Sequence, residues 1–243
     1  MPGTNSVLAI DAGNTRIKWG VHDGGIWRVR GAVETTRAGE LKESLAKASL
    51  AIASNVAGDA VRAGIESACK SVGIPVRFAR SEAKQLGVTN GYRDPSQLGT
   101  DRWVALVAAH HARAGHKLVV NAGTALTIDA LTAEGHFLGG VIVPGPALMR
   151  RSLDRATAAL REAEGAVKEF PASTPEAIAT GAIAACAGAV DRMAKSMDAH
   201  GTPAGIIILS GGAAGEIAPA LGLPHEYHED LVLDGLQLIA RSA

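Results

Sequence analysis

Leu8-Ala9-Ile10-Asp11-Ala12-Gly13 and Leu118-Val119-Val120-Asn121-Ala122-Gly123 are two copies of one pattern. Each is an apolar run that closes on Asp or Asn, then Ala, then Gly. The offset between the two runs is 110 residues. Short apolar runs closed by a turn signal read as buried strands. Each continues into a second strand and then into an acidic residue followed by glycine, Asp23-Gly24 in the first and Glu134-Gly135 in the second. Self-similarity of this kind predicts an internal duplication. We therefore expect two similar lobes, residues 1–115 and 116–243, divided near Gly115.

The surrounding sequence supplies an α/β alternation with mixed sheets. Strands are expected over 16–21, 26–33, 50–53 and 76–78, with a helix near 41–48 and another over 59–72. Residues 80–99 lose periodicity and are punctuated by Gly87, Gly91 and Pro95. An Ala-rich helix follows over 102–113, then strands at 117–120 and 137–143. Helices are expected near 147–159 and over 174–197. The very apolar run 206–209 reads as a strand that Ser210-Gly211-Gly212 breaks into a further helix, and 230–241 reads as a closing helix.

Composition narrows the function. Of 243 residues, 47% are apolar, enough for a sizeable core, and only 3% are aromatic, so Ala, Val, Leu and Ile must build it. Lys and Arg number 24 and Asp and Glu number 24, which gives no electrostatic reason to expect nucleic acid or an anionic membrane as partner. Cys69 and Cys186 are far apart and form no CxxC pair, so neither a disulfide framework nor a structural zinc site is expected. The opening residues lack a basic segment followed by an apolar one, and no run of 18 uncharged apolar residues occurs. A soluble cytoplasmic protein is the economical expectation.

The segment Asp11-Ala12-Gly13-Asn14-Thr15-Arg16-Ile17-Lys18 is a tight turn between strands. Glycine lets a bulky anion approach the backbone. Backbone N–H groups, with the Thr15 hydroxyl, can hold phosphate oxygens. Asp11 can orient magnesium through water, since that ion prefers oxygen ligands and keeps its waters. The same residues also make an ordinary Asx-type hairpin turn. The duplicate turn ending at Thr124 favours the first reading, because two such turns can grip a triphosphate from both sides. No GxxxxGK[ST] occurs, which excludes a P-loop, and no GxGxxG follows a strand.

A second segment, Tyr92-Arg93-Asp94-Pro95-Ser96-Gln97-Leu98-Gly99-Thr100-Asp101-Arg102-Trp103, joins a phenol, a carboxylate and a guanidinium in one glycine-punctuated loop. Asp at the entry to a helix is commonly its N-cap. Alternatively, Asp101 can accept the proton of an attacking hydroxyl, and Arg102 can bind a substrate carboxylate by paired hydrogen bonds. His225 and His228 form an HxxH without a third ligand, poor grounds for zinc.

Taken together, these motifs resemble those of type III pantothenate kinases. Asp11 to Thr15 with Lys18 is similar to the family's first phosphate motif. Gly91-Tyr92, Pro95 and Leu98 to Trp103 are similar to its substrate motif, and Gly123-Thr124-Ala125 with Thr127 and Asp129 to its second phosphate motif. Gly139-Gly140, Pro144-Gly145 and residues 230–236 also fit.

The resemblance implies a duplicated ribonuclease-H-like fold of the actin-like ATPase superfamily, and a homodimer. It implies transfer of the ATP γ-phosphoryl group to the 4′-hydroxyl of pantothenate, the first step toward coenzyme A. By the same resemblance Asp101 is the proton acceptor. Tyr92, Gly99, Thr100, Asp101, Arg102 and Thr180 bind pantothenate. Asp11, Ala12, Gly13, Asn14, Thr15, Arg16, Ile17, Lys18 and Thr124 bind ATP with Mg2+. The family pattern has Asp where this chain has Asn121, and that Asp helps to hold a monovalent cation, K+ or NH4+; the departure puts the cation site in question. Two other readings share the phosphate turns: an actin-like kinase for a sugar or acetate, and a nucleotide-binding accessory protein of transcription.

Overall fold

The computed structural model describes residues 6–43, 48–156 and 165–242. The chain begins with strands β1 (Ser6–Ala12), β2 (Arg16–Asp23) and β3 (Ile26–Glu34), then a 3-10 helical stretch, Thr35–Glu43. It continues through β4 (Leu50–Asn55), α1 (Asp59–Ser71), β5 (Val76–Phe78), the short strands β6 (Lys84–Gln85) and β7 (Val88–Asn90), and α2 (Thr100–Ala112). Next come β8 (Lys117–Ala122), β9 (Ala125–Leu131), β10 (His136–Pro144), α3 (Pro146–Ala156) and α4 (Thr174–Ala199). The chain ends with β11 (Ile206–Ser210), α5 (Ala214–Ile217), β12 (His225–Tyr227) and α6 (Leu231–Arg241).

Two compact units result: Met1–Ala112 with Asp230–Ala243, and Arg113–Glu229. The expected division left residues 230–243 with the second lobe. The chain instead returns to the first unit there, because α6 is amphipathic and seats Leu231, Leu233, Leu236 and Ile239 against β1, β4 and α2. Each fully buried aliphatic side chain contributes about 1.5–3 kcal/mol.

In the first unit the strand order is β3-β2-β1-β4-β5, with β1 antiparallel to β2 and parallel to β4. In the second the order β10-β9-β8-β11-β12 repeats it, with β8 antiparallel to β9 and parallel to β11. The duplication read from the two apolar runs is thus a duplication of sheet topology. Central strands are covered on both faces, so Val7, Leu8, Ala9 and Ile10 are all buried and read as a continuous apolar run. The edge strand β3 shows only alternating, partial burial.

Expected and observed elements differ in places. The helix near 41–48 falls partly on residues 44–47, outside those described; residues up to Glu43 are 3-10 helical. Residues 157–159 of the helix expected near 147–159 likewise lie outside them, and α3 is seen to Ala156. The irregular stretch 80–99 contains the antiparallel pair β6 and β7. Among the described residues α4 is the one helix long and apolar enough to cross a membrane by length and composition. Its Ile183, Cys186, Val190 and Met197 belong to the second unit's core. Both cysteines are free and buried.

Candidate active site

Asp11 stands at the end of β1, where the strand gives way to the turn Gly13-Asn14-Thr15. The turn is held at both ends: Gly13 N–H donates to Arg16 O at 3.1 Å, and Thr35 donates through its hydroxyl to Gly13 O at 2.7 Å. Asn14, Thr15 and Arg16 are exposed. Antiparallel pairing sets Lys18 directly opposite Asp11. Lys18 Nζ lies 3.5 Å from Asp230 Oδ1.

Asp11 Oδ1 is sealed from solvent and accepts no hydrogen bond. Burial, then the charges of Asp101 and Asp230, push the Asp11 carboxyl up to about 7, with Lys18 opposing them. A buried oxygen lacking a donor, among carboxylates, suits a cation. No group of three His, Cys, Asp or Glu among the described residues is placed to ligate a metal directly.

Asp101 is the second residue of α2, not its cap. Trp103 N–H donates to Gly99 O at 3.0 Å, so the helix is entered at Gly99. The Asp101 carboxylate accepts from Arg102 N–H at 2.8 Å. Burial raises its pKa, and the Arg102 N–H and guanidinium pull it back. Gly99 has no room for a side chain: a Cβ there would sit 2.6 Å from Asp101 Oδ1.

The preceding loop is wired in place. Tyr92 N–H donates to Asn90 Oδ1 at 3.0 Å, and Ser81 Oγ donates to Leu98 O at 2.7 Å. Arg102 is buried, and its Nη1 donates to Tyr92 Oη at 3.2 Å. The structure therefore brings together Tyr92, Gly99, Thr100, Asp101 and Arg102, as the sequence suggested.

Two contributors were assigned no role from the sequence. Ser54 is fully buried, pairs in register with Asp11, and shares a 3.0 Å hydrogen bond with the Thr100 hydroxyl. It ties the end of β4 to the start of α2. Asp230 is the other. A serine at a strand end carries no pattern signal, but a buried serine beside a suspected ligand strand would have been worth marking.

In the second unit Asn121 takes the position of Asp11, and Thr127 lies opposite it, where Lys18 lies opposite Asp11. The second turn, Gly123-Thr124, is one residue shorter. Two glycines press on it. A Cβ on Gly145 would sit 2.1 Å from Gly123 O, and one on Gly211, at φ +99°, would sit 2.6 Å from Asn121 Oδ1. Thr180 lies in α4, where its hydroxyl accepts from Lys168 N–H at 3.0 Å.

Two cavities stand out. A groove of about 800 Å3 in the second unit, with Met149, Leu153, Pro171, Ala177 and Ile178 on its walls, has no ionisable lining among the described residues. A smaller one of about 360 Å3, with Asn55, Asp59, Arg62, Phe78 and Thr100, borders the substrate segment in the first unit. Carboxylates with raised pKa gather at Asp11 and Asp101.

The family model of type III pantothenate kinases matches residues 7–196. A type III pantothenate kinase of Aromatoleum aromaticum is 44% identical over 238 residues, covering 97% of this chain and 98% of its own. A candidate Baf family transcriptional activator from Campylobacter jejuni shares the fold with a TM-score of 0.64 at 18% identity, covering 97% of this chain and 98% of its own. A candidate 2-dehydro-3-deoxygalactonokinase from Sinorhizobium meliloti does so at 0.62 and 16%, over the same shares. At these identities the structural likenesses speak for the fold alone. The match over nearly the full length of the relative, with the family model's match to residues 7–196, means that this chain belongs to the type III pantothenate kinase family.

Proposed function

We propose that this protein transfers the γ-phosphoryl group of ATP to the 4′-hydroxyl of pantothenate, the first step of coenzyme A synthesis. The observation that carries the reading is Asp101, a half-buried carboxylate at the start of α2 beside the Tyr92 and Arg102 pair. Raised basicity suits a group that must take a hydroxyl proton as the oxygen attacks. Arg102 supplies a planar fork for the pantothenate carboxylate. Tyr92, Gly99 and Thr100 hold the acceptor, with Thr180 a further contact from α4. Residues 11–18 and Thr124 hold the ATP phosphates. Magnesium, when bound, supplies positive charge at the phosphate oxygens, and Asp11 would hold it through its waters.

Two ribonuclease-H-like lobes, a homodimer, and a cytoplasmic location complete the reading. Asn121 offers a dipole where its family has a charge, so a monovalent cation is held weakly.

The test is ADP release by the purified protein, with and without pantothenate, across a potassium titration at constant ionic strength. ADP release should require pantothenate, fail with sugars or acetate, and respond to potassium only at high concentration. Absence of pantothenate-dependent release overturns the substrate. Tight potassium activation that Asn121→Asp leaves unchanged overturns the cation reading.

A further inference from the structure

Asp230 is the first residue of the segment that returns to the first unit, and it stands at the head of α6. An Asp there would ordinarily cap the helix with its side chain. Here the side chain makes no capping hydrogen bond; the backbone carbonyl of Asp230 takes the Asp234 N–H at 2.9 Å. The carboxylate is directed instead to the hairpin of β2 and β3. Oδ2 accepts from Arg30 Nη1 at 2.6 Å and Oδ1 lies 3.5 Å from Lys18 Nζ.

The two contacts differ in kind. The Asp230 side chain is only 10% exposed, and a carboxylate so covered needs a close partner. Arg30 supplies it at charge-assisted hydrogen-bond distance. The Lys18 contact is too long for that, and the Lys18 side chain is 36% exposed. Its stem leaves β2 opposite Asp11, so the Asp230 contact keeps it beside the first turn.

Next along α6, Asp234 accepts from Trp27 Nε1 at 2.9 Å. The first turn of α6 therefore carries one carboxylate that docks the helix on the hairpin and one that reaches the lysine.

We propose that Asp230, fixed by Arg30, is a positioning residue that holds the Lys18 ammonium at the first turn, ready to shift onto the phosphates of ATP. The idea rests on the reading of residues 11–18 as the ATP segment. A pre-aimed ammonium loses less freedom when the phosphate arrives. Without the Asp230 charge Lys18 is drawn toward Asp11 and competes there with the hydrated magnesium.

The test uses the full chain and measures MgATP binding by calorimetry without acceptor, alongside KM, kcat and melting temperature. Asp230→Asn should weaken MgATP binding roughly tenfold and raise KM for ATP equally, with KM for pantothenate within about twofold. Lys18→Gln should also weaken binding, and the double variant should be no weaker than Lys18→Gln, since the two act as one unit. Asp234→Ala, which removes the hydrogen bond from Trp27, should lower the melting temperature and keep wild-type MgATP affinity. Unchanged affinity in Asp230→Asn, additive losses in the double variant, or equal loss of affinity in Asp234→Ala each overturns the proposal. A wild-type protein that binds MgATP but does not phosphorylate pantothenate would sink the substrate reading and leave this one standing.

Discussion

Asp11 and Asp101 are both carboxylates raised by burial, yet their surroundings assign them different work. Asp101 keeps a hydrogen bond and a guanidinium beside it; Asp11 Oδ1 has neither. Asp101→Asn should fold normally and lower kcat by about 100- to 10,000-fold, the range for losing a general base. Near-normal turnover with reduced stability would reduce Asp101 to a structural role.

Asp11 has a pH signature. Its folded value of about 7 lies above the 3.8 of the unfolded chain, so between them the native state holds a proton that the unfolded state lacks. Stability must then fall as pH rises from about 4 to 7. Melting temperature of the nucleotide-free protein should drop over that window, and Asp11→Asn should flatten the drop; an identical profile in the variant would refute the assignment. Both carboxylates were legible in the sequence because each closes a motif. Ser54 was not, because only the parallel register of β4 with β1 sets it next to Asp11.

At the level of elements, the two strand-turn-strand copies share topology but not chemistry. The first sets Asp11 against Lys18 across one turn; the second sets Asn121 against Thr127. The long apolar strands were readable from their composition. β6 and β12, of two and three residues, were not, since so short a strand has no period to detect.

The crossing of α6 over α2 was also invisible to pattern. It depends on Gly235, where a Cβ would meet Val104 O at 2.1 Å. Helix backbones approach this closely only where one side lacks a side chain. Gly235→Ala should therefore cost about 1–3 kcal/mol, as overpacking does, even though alanine favours helix. Denaturant unfolding that shows equal or greater stability would mean that the helices separate freely.

At the level of the whole molecule, the return of residues 230–243 to the first unit was not legible, because a closing helix carries no mark of the sheet it will cover. Assembly is a matter for solution measurement. Light scattering of an active preparation should give the mass of two chains, and a monomeric mass would contradict the homodimer.

The return of α6 has a further consequence for how the protein is made. Domains generally fold as units while the ribosome is still adding residues. Residues 113–229 are all made before α6. The first unit waits longer, though its strands emerge earlier: the faces of β1, β4 and α2 that receive α6 stay uncovered until that helix leaves the exit tunnel. The earlier-made half of the protein thus receives its last element after every strand of the other half has been made.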